Sequence, residues 1–234
     1  MAAALRARDW TAIAIEFLIV VLGIFVALQA DNWNQARQDR RLEQVYVARL
    51  IDETRANLKI LGEHERIFED KVRFILELPE LAVAEALERD PQAFMYRLDF
   101  SSYLAIPDLR SETYAELESS GRLALLRDTE LRSSIAANLN DYRSTRPVFA
   151  EAIGDYRRLL FETIPGRAYY DYRVGAGTAD TAVVVNAVDA FRNAPGFAAA
   201  ANAEVAYGSD ALFYMRAFSE RSEQILRRLQ AVNR

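Results

Sequence analysis

An unbroken apolar stretch near the N-terminus, Thr11–Leu28, constrains this chain more than any other feature. Its 18 residues hold one charge, Glu16, and no proline. As an α-helix it rises about 27 Å, close to the roughly 30 Å of hydrocarbon in a bilayer. Trp10 and Trp33 bracket it, where interfacial aromatic anchors belong. The sequence therefore predicts a transmembrane helix over residues 11–30, after a short tail of residues 1–10. A cleaved signal peptide is the competing reading, because Arg6 and Arg8 form a basic leader. Against it, a cut after Ala30 would put Leu28 where a small residue is needed, and Glu16 would lie inside the leader's apolar core.

Glu16 lies about 7.5 Å inside the first residue of the span, deep enough to need a partner or a route to the headgroups. At 100° per residue, Ala12, Gly23, Ala27, Ala30 and Asn34 fall within about 40° of Glu16, while Ile13, Phe17, Phe25 and Leu28 lie elsewhere. Gly23 and Ala27 form a small-xxx-small pair, which allows two backbones to approach closely in lipid. Glu16, Gly23 and Ala27 are accordingly the candidate site, a helix–helix interface with Glu16 hydrogen-bonded across it. The bland alternative is a snorkelling Glu16 and an incidental Gly23. Orientation is pulled two ways. Arg37, Arg40 and Arg41, diluted by Asp31 and Asp39, favour a cytoplasmic C-terminal flank, whereas a short tail before one signal-anchor favours export of the large C-terminal domain. The expectation adopted is a periplasmic domain.

The phrase Glu16-x3-Val20-x2-Gly23-Ile24-x2-Ala27-Leu28-Gln29-x3-Trp33-Asn34 resembles the start of a family of uncharacterised bacterial single-pass membrane proteins, a domain of unknown function. A looser echo is Tyr114-x2-Leu117-x2-Ser120-Gly121-x-Leu123, followed by Glu130-Leu131-Arg132. The resemblance implies an architecture and residence in the bacterial inner membrane; it implies no activity.

Beyond Trp33 no linker intervenes. Residues 31–78 read as one long amphipathic helix, continuous with the span or broken once near Gly62, with Val47, Ile51, Leu58, Leu61, Phe68, Val72 and Ile75 on its apolar side. Residues 79–234 read as the remainder of a helical domain that packs against 31–78. Thr113 and Glu116 have capping-box spacing, Gly121 stops their helix and Asp128 caps the next. Pro147 suits the first turn of a further helix carrying Phe149, Ile153, Tyr156, Leu160 and Ile164, ended by Pro165-Gly166. Residues 166–180 read as a loop, Asp180 as a cap for a helix to Asn193, and Pro195-Gly196 as the break before the last helix. Val183-Val184-Val185 is the one stretch open to a short strand. The fold class is thus all-α, a single N-terminal transmembrane helix continuing into a helical bundle.

Composition narrows the chemistry. With 0 Cys and 1 His among 234 residues, disulfides, thiolate metal sites and cysteine nucleophiles are excluded. Glu63-His64-Glu65 cannot face one metal, since adjacent helical residues diverge. Gly175–Thr178 is too short for a phosphate loop, and the tyrosines of 169–172 suit packing better than stacking on a ligand. Arg157-Arg158 and Arg227-Arg228 read as solvated faces. A formal charge of −5 argues against a nucleic-acid surface. No catalytic residue, metal ligand or cofactor is expected, although plentiful carboxylates leave a membrane-anchored hydrolase as a remote alternative. The leading expectation is a membrane-anchored interaction or sensory module that self-associates through its span and meets a protein partner. A pore component with Glu16 in its lumen is the alternative.

Overall fold

The computed structural model describes residues 2–103, 105–150, 154–164 and 181–233, and among them every regular element is helical. Helix α1, Ala2–Glu77, is one uninterrupted rod of 76 residues, about 114 Å long at the rise of an α-helix. Gly62 does not break it, because a single glycine costs only about 1 kcal/mol of propensity and the packed residues around it, Leu61 and Phe68, hold the helix in place. A 3₁₀ turn at Leu78–Glu80 leads to α2 (Val83–Arg89), α3 (Pro91–Phe100), α4 (Glu112–Ser119), a second 3₁₀ turn at Leu123–Leu125, α5 (Thr129–Ala150), α6 (Asp155–Thr163), α7 (Thr181–Arg192) and α8 (Phe197–Val232).

Two elements carry the architecture. Helix α8 runs antiparallel along α1. Besides Ala200, its buried residues, Phe197, Ala201, Glu204, Gly208, Ala211, Met215, Phe218, Ser222, Ile225 and Leu229, step by four and three. That spacing keeps one stripe on the partner over about nine turns. The other helices close the sides, so the core forms three successive apolar clusters along the α1–α8 axis. Tyr46, Val47, Leu50 and Ile51 meet Leu117, Leu131, Ile135 and Leu229 at the end nearest the apolar stretch. Leu61 and Phe68 meet Tyr142, Phe149, Met215 and Phe218 in the middle. Phe74, Ile75 and Leu78 meet Leu98, Tyr156, Val188, Phe191 and Phe197 at the far end.

Local signals set most helix ends. Asp90 caps α3 through a bond from the Ala93 N–H (2.9 Å), with Pro91 in the first turn. Asp128 accepts from the Leu131 N–H (2.9 Å) at the start of α5. Gly121, at φ +69°, ends α4 as a Schellman turn, with Arg122 N–H donating to Leu117 O and Gly121 N–H to Glu118 O. Gly196 takes φ +89° just ahead of α8.

Three expectations are corrected. The Thr113–Glu116 capping box does not form. Thr113 lies inside α4, its N–H donates to Glu53 Oε2 on α1 (2.9 Å), and Glu116 accepts from Tyr46 Oη and Arg49 Nη2, also on α1 (2.8 and 2.7 Å). Charged and hydroxyl partners from the packed helix outcompete the local arrangement. Pro147 lies within α5 rather than opening a new helix; the missing N–H falls near the C-terminal end, and the break comes after it, with α6 starting behind Gly154. Phe149 therefore belongs to α5. Val183-Val184-Val185 is helical, because α7 buries Val184, Ala187, Val188 and Phe191 on one side, a helical rather than an alternating pattern. Ile153, Pro165, the loop at 166–180 and the cap at Asp180 lie outside the described residues.

Candidate functional site

Among the described residues, the apolar stretch of α1 is exposed along its length. Its most apolar 18-residue window has a mean hydropathy of 2.1 and none of it is buried. Glu16 and Ala27 are exposed, and a Cβ added at Gly23 would meet nothing within 4 Å. Because α1 is continuous, the phase of this face can be carried into the bundle. At 100° per residue, Gly23, Ala27, Arg41, Val45 and Asp52 all fall within about 20° of Glu16, whereas Tyr46, Val47, Leu50 and Ile51 average about 190° from it. The first set is exposed, Val45 by 55%, and the second is buried. The Glu16–Gly23–Ala27 face thus looks away from the bundle and is unobstructed by it. Trp33 is 60% exposed, with the Arg37 guanidinium 5.8 Å above its ring. Trp10 lies in α1, but its side chain is outside the described residues.

The structure also assembles a charged site in the core. Lys71 on α1 has no exposed side-chain surface and Glu204 on α8 almost none (0% and 3%), and the two form an ion pair. Lys71 Nζ also donates to Tyr103 O (2.6 Å) and lies 5.3 and 5.1 Å from the ring centres of Phe68 and Tyr207. Burial pulls the Lys71 ammonium below its usual range, opposed by the Glu204 carboxylate. Space for the pair comes from Gly154, where a Cβ would lie 2.7 Å from Glu204 Oε2. Nearby, Tyr156 donates to Ser101 Oγ (3.1 Å) and Tyr207 to Phe149 O (3.0 Å), and burial raises both phenols above their usual range.

A second polar layer fastens the segment between α3 and α4. Asn57 Nδ2 donates to Arg110 O, and Arg110 N–H donates back to Asn57 Oδ1, both at 2.8 Å. Tyr142 donates to Pro107 O, and Asn138 Nδ2 to Ser222 Oγ (3.1 Å).

Neither polar layer was singled out from sequence. The signal was present: Lys71 stands three residues after Phe68 and four before Ile75, on the apolar stripe, and Glu204 occupies one of α8's regular core positions. What sequence cannot supply is that the two stripes bring these residues face to face.

The other candidates have ordinary surroundings. His64 Nδ1 pairs with Ile60 O (3.0 Å), within its own helix. Arg158 pairs with Asp155 and Glu162, Arg227 with Glu223 and Arg228 with Glu130, while the Arg157 guanidinium lies 5.5 Å from the Phe161 ring. Gly175–Thr178 and the tyrosines at 169–172 lie outside the described residues. Among the described residues no group of three or more His, Asp or Glu converges as a metal site would.

An all-helical chain built on one long helix, with an apolar end outside the bundle, defines the class. The chain belongs to the family of unknown function DUF6090, which it matches over residues 16–164. No curated protein and no solved structure shows a significant match. The matched region begins at Glu16 and stops at the end of α6, so it includes Lys71 and excludes its partner Glu204 and the whole of α8.

Proposed function

We propose that the protein is a single-pass anchor of the bacterial inner membrane that presents an all-helical module for interaction or sensing. The observation that carries this reading is the continuity of α1. Among the described residues its apolar end is unburied, and the same helix is the spine of the bundle. A bare apolar helix of this length exposes a row of large side chains to water, a cost that lipid removes. In this reading the chain self-associates through Glu16, Gly23 and Ala27, with Trp10 and Trp33 at the two interfaces, and its bundle faces the periplasm and a protein partner. The outward phase of the Glu16 face supports self-association, since two spans can meet there with their bundles on opposite sides. Its work is contact, with no catalytic step and no nucleic acid.

Two fusions at Arg234 test the membrane topology. An alkaline phosphatase fusion is expected to be active and a GFP fusion dark, and the reverse pattern overturns the periplasmic assignment. The charge of Glu16 inside the span favours one second reading, a pore. Bilayer conductance by the purified protein that disappears in Glu16→Gln would replace the anchor with that reading.

A further inference from the structure

Lys71 and Glu204 meet where the antiparallel contact between α1 and α8 passes from the middle apolar cluster to the far one. On either side the two helices pack through regular stripes, every third or fourth residue along α8 and a similar series along α1. Apolar contact is non-directional, so such stripes separate poorly one axial setting from another a helical turn, about 5.4 Å, away. A buried ion pair separates them sharply, because a charge removed from water needs its partner in place. Lys71 Nζ has its partners on three elements: the Glu204 carboxylate on α8, the Tyr103 carbonyl after α3, and the Phe68 ring on α1. Sliding α8 by one turn would set Ala200 or Gly208 opposite Lys71 and leave both charges buried and unpaired. The surroundings admit little else, since a Cβ at Gly154 or at Gly208 would lie 2.7 Å from Glu204 Oε2 or 2.8 Å from Val72 Cγ2.

We infer that the Lys71–Glu204 pair is a register pin, which selects one axial setting of α1 against α8 and so ties the N-terminal part of α1 to the far lobe of the bundle. With the pin in place, a displacement of α1 along its axis carries α8 with it and is not absorbed by slip between the two helices. The inference concerns the bundle and holds whether or not the apolar end of α1 crosses a bilayer.

The chain has 0 Cys, so two introduced cysteines can carry spin labels without interference. Lys59→Cys on α1 and Ser209→Cys on α8 replace exposed residues, and the full-length labelled protein in detergent should give one narrow distance. Replacing both charges with apolar side chains, Lys71→Met with Glu204→Leu, should keep the helical signal in far-ultraviolet circular dichroism. It should also add a second distance, displaced by the part of the axial step of about 5.4 Å that lies along the line between the labels, a few Å. Met215→Leu, a volume-conserving change in the same interface, should keep the single distance. One unshifted distance in the double variant overturns the pin, because packing alone would then set the register. Loss of helix in the double variant overturns it as well, since the pair would then hold the fold together rather than choose among settings. A second distance in Met215→Leu overturns it too, because any disturbance of the interface would then suffice.

Discussion

Gly208→Ala probes the α1–α8 interface quantitatively. A Cβ at this position would lie 2.8 Å from Val72 Cγ2, 3.8 Å from Lys71 Cε and 4.0 Å from Phe68 Cδ1. Carbon atoms in good contact stand about 3.5–4.0 Å apart, so only the first distance is a clash, short by about 0.7–1.2 Å. Val72 cannot easily yield, because a β-branched side chain in a helix keeps essentially one χ1 rotamer. Either that rotamer is lost or the helices part, and overpacking of this kind costs about 1–3 kcal/mol. Against it stands the gain of about 0.8–1.0 kcal/mol in helix propensity when alanine replaces glycine. The net expectation runs from near zero to a loss of about 2 kcal/mol, or up to about 8 °C in Tm for a chain of this size. Val72→Ala removes the clashing methyl. In its background Gly208→Ala should recover the propensity gain, so the two changes couple favourably by about 1–3 kcal/mol. Thermal unfolding of wild type, both single variants and the double in one detergent gives the cycle. A Gly208→Ala variant more stable than wild type by about 1 kcal/mol, whatever occupies position 72, would refute the close approach of α1 and α8.

Three further predictions probe other parts of the molecule. Asn57→Ala removes both 2.8 Å bonds to the Arg110 backbone and should cost about 2–3 kcal/mol in thermal unfolding, with faster amide exchange at Arg110. The Glu116 carboxyl is held below its usual range by the Arg49 guanidinium and then by the Tyr46 hydroxyl. A depressed folded pKa contributes stability above the unfolded pKa and loses it as pH falls through the folded one. Glu116→Gln should therefore be less stable than wild type at pH 7, and the difference should shrink below about pH 4, as melts at pH 7 and pH 3 would show. In a membrane-dimerisation reporter carrying the span alone, Gly23→Ile and Glu16→Leu should lower the signal, the latter by removing a bond of about 0.6–2 kcal/mol. Glu16→Gln and Phe25→Leu should leave it nearly unchanged, and equal signals from wild type, Gly23→Ile and Phe25→Leu would make the small-residue face incidental.

Helical identity was legible residue by residue, because it depends on period, caps and breakers that lie close together in the chain. Asp90, Gly121, Asp128 and Gly196 mark helix boundaries through bonds or dihedrals within a few residues of themselves. The lack of any proline before Pro79 left the run from the apolar stretch into the amphipathic helix either continuous or broken once near Gly62, and α1 is continuous there. Where sequence reasoning failed, a distant side chain had intervened. Glu53 and Arg49 took the groups that a capping box at Thr113 and Glu116 would have used, and packing carried α5 through Pro147 to Ala150.

The sequence by itself also determined where the last helix begins, after Pro195-Gly196, and which face of the apolar stretch is small. Only the tertiary structure decided that Lys71 lies opposite Glu204, and that the Glu16 face points away from the bundle. The reason is physical. Periodicity assigns each residue an angle about its own helix axis, but the axial setting and relative rotation of two helices depend on side chains that meet across more than a hundred residues of chain, as Lys71 and Glu204 do.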